Sequence, residues 1–271
     1  FSIKSFSQLV RKVYLSINNK WYKSLFFDQL INDLNLLFLK REKPDLAFCF
    51  FNAGAHIQHH YLYNSEFINK SNINPKWYVE NNKDPVYEMF LEYDKIIGDY
   101  LKLLNQNYKI IIATGLKQIP YNKNKFYYRL LDHKKFLKQL NINFDDVNTQ
   151  MTRDFQIRFN SSNQCSEAKE FLSKLKHSRD HKNIFGNFSI KANILSLSLI
   201  YSDEIISKDS VMYENIELAD LYKSTVFVAI KNGMHSSNGY LFLSSNIKHN
   251  QVNKKMHIKD IFYLLENISL Q

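Results

Sequence analysis

Apolar residues along the chain fall into two kinds of run. Over 24–41, Leu25, Phe26, Leu30, Leu34, Leu37 and Phe38 recur every three to four positions, which predicts an amphipathic helix. Lys40 and Arg41 suit its carboxyl end, where unpaired carbonyls carry partial negative charge. Pro44 and Asp45 break the period, and Leu46-Ala-Phe-Cys-Phe-Phe51 follows with no polar residue. An unbroken run of this length predicts a strand covered on both faces, as in a parallel sheet.

Pro85 opens a second periodic stretch. Val86, Met89, Phe90, Tyr93, Ile96, Ile97, Tyr100, Leu101 and Leu104 line one helical face, and 108–113 form another apolar run ending at Thr114-Gly115-Leu116. Helix, strand, loop, then helix, strand, loop is the alternation of a doubly wound fold. Farther on, 133–140 read as a short helix and 166–176 as another. Residues 155–159 and 194–201 alternate apolar with polar, while 240–244 return to a core-type strand before a closing helix over 256–268. The expected fold is therefore α/β, a mostly parallel sheet sandwiched by helices. Residues 1–150 and 211–271 would form its core, and 151–210 a small inserted α+β piece with one solvated sheet face.

Composition narrows the class. Hydrophobic residues make up 45% of 271, enough to bury a large core, so disorder is excluded as the main state. The net charge of +10 would suit an anionic partner. The lysines are scattered, however, with no run of five or six basic residues and no zinc-finger or RNA-binding signature, so no nucleic-acid role is expected. No stretch of 18 apolar residues predicts a membrane span. Cys49 and Cys165 have neither metal-type spacing nor the number for a disulfide framework. With no secretory leader pattern at the start, these features predict a cytoplasmic protein. A chain opening on Phe1 reads as a fragment or a processed product.

Candidate chemistry lies where the predicted strands end, the usual place for a ligand in an open α/β sheet. His56, His59 and His60 fall within five residues, and His56 and His60 are spaced so that one helical face presents both to a metal. His235 sits between Gly233 and Gly239 ahead of the 240–244 strand. Arg153 could orient an anionic group, although a surface ion pair with Asp154 is the simpler reading.

In order along the chain, these pieces form a pattern. Pro44-Asp45 precede a strand, then come Asn52-x-x-x-His56, Tyr93-Asp94-x-x-Ile97-Gly98, the 110–113 strand, and Gly233-x-His235 before Gly239-Tyr-Leu-Phe-Leu. This resembles the alkaline-phosphatase-like superfamily, in its type I phosphodiesterase and nucleotide pyrophosphatase branch, over roughly residues 43–120 and 220–268. The resemblance implies a metal-dependent phosphate- or sulfate-ester hydrolase using zinc or another divalent cation on a small anionic ester. It places His56 and His235 as ligands of one metal, so that the two should converge in space. Asn52 stands where that metal's Asp belongs, and Thr114 and Gly115 where the Asp-His pair of the second metal belongs. His59, His60, Gln118 and Asp94 are candidates to rebuild the set, with Asp94 the most readily explained as a helix-surface carboxylate. The neutral replacements, and a nucleophile segment without a match ahead of Ser24, imply poor or absent hydrolysis and leave the catalytic residues unknown. The alternative is a non-catalytic binding or scaffold protein.

Overall fold

The computed structural model describes residues 3–68, 72–103, 108–247 and 255–269. Leu104, assigned above to a helix face, lies outside them. The chain divides into two compact units, Phe1–Asn122 with Asn232–Gln271, and Lys123–Lys231. The boundaries of the second unit thus lie outside the 151–210 segment read from the sequence as an insertion.

Unit 1 is helical at its centre. Helix α1 (Ile3–Ser16) lies against α2 (Tyr22–Glu42), and α2, α3 (Ala53–Tyr61) and α4 (Pro85–Leu101) pack through a cluster of Trp21, Leu25, Ile57, Tyr61, Val86 and Met89, each at most 4% exposed. The periodic runs at 24–41 and from Pro85 form α2 and α4, with Asp84 capping the latter through the Tyr87 amide at 2.9 Å. Lys12 and Glu92 are both nearly buried and meet at 3.0 Å, so neither charge is left alone in the interior. The helix expected at the end is α7 (Asp260–Ser269).

The parallel core is not found. The run at 46–51 adopts no regular secondary structure, and Leu46, Phe48 and Phe50 are 58%, 75% and 79% exposed. Strand β1 (Ile111–Ala113) pairs not with that run but, antiparallel, with β11 (Leu241–Leu243), Ile111 opposite Leu243. The reason lies in what an apolar run specifies. It reports a demand for burial, but a strand also needs backbone partners on its flanks, and periodicity cannot supply them. The expected neighbouring pair of buried strands is thereby overturned.

Unit 2 is antiparallel as well. Strands β3 (Asp146–Thr149), β4 (Asp154–Arg158), β6 (Phe185–Lys191) and β7 (Ile194–Leu199) form a sheet in the order β3-β4-β7-β6. The alternation read at 155–159 and 194–201 is realised here. Phe155, Ile157, Leu195, Leu197 and Leu199 are at most 2% exposed, with Gln156 and Ser196 on the other face. Helices α5 (His133–Gln139) and α6 (Ser162–Lys174) bring Phe136 and Leu172 to the apolar face, where the Phe136 and Phe155 rings each stand edge-on to Phe185. A three-stranded sheet joins β5 (Lys176–His177), β8 (Ser210–Tyr213) and β9 (Ile216–Asp220). Strands β2 (Lys117–Leu130) and β10 (Thr225–Ser236) pair with each other, and along them the chain crosses between the units. Among the described residues no helix is long and apolar enough to cross a membrane.

Candidate histidine site

Helix α3 carries all three clustered histidines, and its position is set by a residue the sequence reading passed over. Asp28, on α2, is 2% exposed and accepts hydrogen bonds from the Asn52 amide at 3.2 Å, the Ala53 amide at 2.9 Å and the Tyr93 hydroxyl at 2.8 Å. It therefore satisfies two of the unpaired amides at the start of α3 and sets a negative charge against the positive end of the helix. The same Tyr93 oxygen accepts from the Gly54 amide at 2.7 Å. Burial, followed by the charge of Asp28, raises the Tyr93 phenol above its usual range, so it stays a donor. A signal was present. Asp28, Gln29 and Asn32 are all polar residues on the buried side of α2, and such groups are retained where they have partners. Asp28→Ala should cost about 2–4 kcal/mol, two buried amides losing their acceptor at about 1–3 kcal/mol each with some overlap. Urea unfolding measures it, and a variant with the parent's midpoint would remove Asp28 from this role.

The carboxyl end of α3 is tied to β10. Asn232 is fully buried; its side chain accepts from the Leu62 amide at 2.8 Å and donates to the His60 carbonyl at 3.1 Å and to Asn74 Oδ1 at 2.8 Å. This brings Gly233 against the helix backbone and sets the histidine geometry. His59 Nδ1 lies 2.8 Å from the Gly233 carbonyl. A carbonyl only accepts, so Nδ1 carries the proton and Nε2 of the neutral ring presents its lone pair. That Nε2 accepts a hydrogen bond from Nε2 of His235 at 2.8 Å.

His59 is thus in contact with His235. His56 sets its ring edge-on to His60 at a centroid separation of 4.7 Å, and His60 serves the fold through its carbonyl. Asn52 sits at the N-cap of α3, where its side chain makes no capping bond and its amide meets Asp28. Thr114 and Tyr240 lock the end of the β1–β11 ladder. The Thr114 amide donates to the Tyr240 carbonyl at 3.0 Å and its hydroxyl accepts from the Tyr240 amide at 2.9 Å. Asp94 lies on the exposed surface of α4. Gln118, on β2, brings its amide nitrogen to 3.4 Å from His59 Nε2.

A cation replacing the proton between these two nitrogens could be bound by both, because two metal–nitrogen bonds of about 2 Å span up to about 4 Å. The Gly233 carbonyl would be the outer partner that fixes one ligand's tautomer. Among the described residues, no group of three or more His, Cys, Asp or Glu side chains is placed to hold a metal. The pair therefore offers nitrogen ligands without a carboxylate, a set suited to zinc or a similar transition cation rather than to magnesium or calcium. Unit 2 holds a cleft of about 330 Å³ beside Met151, Asp154, Gln156, Ser196 and Ser198. It has no histidine in its lining and is no part of this site. Compared with known proteins, the chain matches no family model, no curated sequence and no solved structure.

Proposed function

We propose that this chain handles small phosphate or sulfate esters through a divalent transition cation held by His59 and His235, as a divergent and slow metal-dependent hydrolase. One observation carries the reading. Two Nε2 atoms from distant parts of the sequence meet at 2.8 Å, one of them with its tautomer fixed by a carbonyl. A cation there would polarise the phosphoryl or sulfuryl oxygen of a bound ester. His59 and His235 hold that cation, and the Asn232 anchor keeps the two rings together. A small anionic ester as ligand and a cytoplasmic place of action belong to the same reading; the free thiols Cys49 and Cys165 are in keeping with the latter.

A second reading, binding without turnover, rests on Thr114. In the position where the resemblance puts a metal-ligating carboxylate, it supplies a neutral hydroxyl engaged with the Tyr240 amide. Zinc titration by calorimetry, with hydrolysis of p-nitrophenyl phosphodiesters followed alongside, separates the two. We expect stoichiometric zinc binding that His59→Ala and His235→Ala each weaken by more than the about 10–100-fold typical of losing an outer-shell partner. Turnover that falls with both variants establishes the hydrolase, and zinc binding without turnover establishes the binder. Zinc affinity that survives both substitutions would refute either reading.

A further inference from the structure

We propose that unit 2 carries a second, metal-independent site, an oxyanion site for a phosphate or sulfate group built by Arg153 and Lys231 beside the ring of Tyr127. The Arg153 guanidinium carbon lies 4.1 Å from the Tyr127 ring centroid and the Lys231 ammonium 5.0 Å from the same centroid. Both distances are within cation–π range. Two like charges are thus gathered on one aromatic ring in a half-buried setting.

Neither cation has a carboxylate within ion-pair distance among the described residues. In this they differ from six other cations of the unit. Arg158, Arg179, Lys123, Lys134, Lys182 and Lys223 each hold an aspartate. The backbone holds the pair in place. Thr152, at φ 62°, turns the chain so that the Asp154 amide donates to the Met151 carbonyl at 3.3 Å, which fixes Arg153 in the β3–β4 turn. Lys231 and Tyr127 sit on the paired strands β10 and β2.

Such an arrangement is unfavourable without a counter-charge. Burial lowers the pKa of Lys231, and the neighbouring charge of Arg153 lowers it further. A tetrahedral oxyanion removes that conflict. It accepts from the planar fork of Arg153 and from the ammonium together, and charge-assisted bonds of this kind are the strong ones. The ligand is either the free inorganic anion or the phosphoryl group of an ester, and both present the same oxygens.

The test is calorimetric titration of the full chain with inorganic phosphate and, separately, with phenyl phosphate. It is run in EDTA at an ionic strength held constant with chloride. We expect saturable phosphate binding that Arg153→Gln and Lys231→Met each weaken about tenfold or more, the loss of one charge-assisted contact. The Lys231→Met protein keeps the side chain's length and loses only its charge, so in the absence of phosphate it should melt at or above the parent's temperature. Tighter binding of phenyl phosphate identifies an ester as the ligand, and equal binding identifies the free anion. The proposal is overturned by heats no different from those of added chloride or by binding unchanged in Lys231→Met. If Arg153→Gln does not fold, the Lys231→Met comparison decides alone.

Discussion

Asp209→Ala is expected to destabilise the protein by about 3–5 kcal/mol, seen as a lower melting temperature and an earlier denaturant midpoint. The side chain of Asp209 is 2% exposed, and one oxygen takes two hydrogen bonds and faces a buried histidine. Its Oδ2 accepts from the Ile206 amide at 2.8 Å and from Arg179 Nη2 at 3.1 Å, and faces His177 Nε2 at 3.1 Å. The last contact has ion-pair distance but poor hydrogen-bond alignment, so it is electrostatic rather than a directed bond. His177 is itself fully buried. Its other ring nitrogen meets Asp180 Oδ1 at 3.0 Å, and its plane stacks on Tyr201 at a centroid distance of 4.1 Å. Removing Asp209 leaves the fully buried His177 and the Ile206 amide unmatched, while the half-exposed Arg179 turns to water, which is where the figure comes from. Asp203→Ala is the comparison. Asp203 pairs with Lys123 and Lys182, whose side chains are more than half exposed, and its loss should cost about 0–1 kcal/mol. Equal costs for the two variants would refute the special place of Asp209.

The same cluster gives a pH dependence. Burial opposes ionisation of Asp180, but the Lys182 side chain and amide, with the charge of His177, outweigh it and hold the carboxyl down at about 2. A carboxyl whose folded value lies below its ordinary 3.8 contributes stability that is complete above that value. That stability is lost as pH falls toward 2. The contribution is at most about 2 kcal/mol. Urea midpoints measured between neutral pH and the acid limit should therefore drop below about pH 4, and Asp180→Asn should flatten that drop.

How much of this was legible in the sequence depends on the kind of information each feature needs. Helices α2 and α4 and the alternating strands β4 and β7 were legible, because a period of 3.6 or 2 is a local property. The partner of β1 was not, since Ile111 pairs with Leu243 and nothing in either short run specifies the other. The exposed run at 46–51 shows the same limit from the other side, its hydrophobicity being local and its covering not. At the site, the histidine cluster could be read, and His235 could be picked out as a candidate to meet it. That His59 touches His235 follows from how β10 crosses the end of α3, and this is fixed by Asn232 and Gly233, which lie 170 and 174 positions from the Leu62 amide and the His59 ring they hold. Polar residues on the buried side of α2 were the one readable sign of the Asp28 anchor.

The close approach at Gly233 gives the last expected result. A methyl group at this position would lie 2.3 Å from the Gln58 carbonyl oxygen and 3.3 Å from the His59 Cα. Both are backbone atoms of α3, so no side chain can swing aside; the strand must move off the helix. Asn232 resists this movement through its three hydrogen bonds, two of them buried. Gly233→Ala should therefore cost about 1–3 kcal/mol or more, as overpacking does, and should also lengthen the His59 Nδ1 to Gly233 carbonyl contact. Losing that outer partner frees the His59 ring to rotate and to change tautomer. Zinc binding at the pair should then weaken by about 10–100-fold although both histidines remain. Gly98→Ala is the matched control. It lies within α4, a methyl there meets nothing within 4 Å, and the substitution should stabilise by about 0.5–1 kcal/mol with zinc binding unchanged. A Gly233→Ala protein with the parent's melting temperature and zinc affinity would show that the close packing of β10 on α3 does not set the histidine geometry.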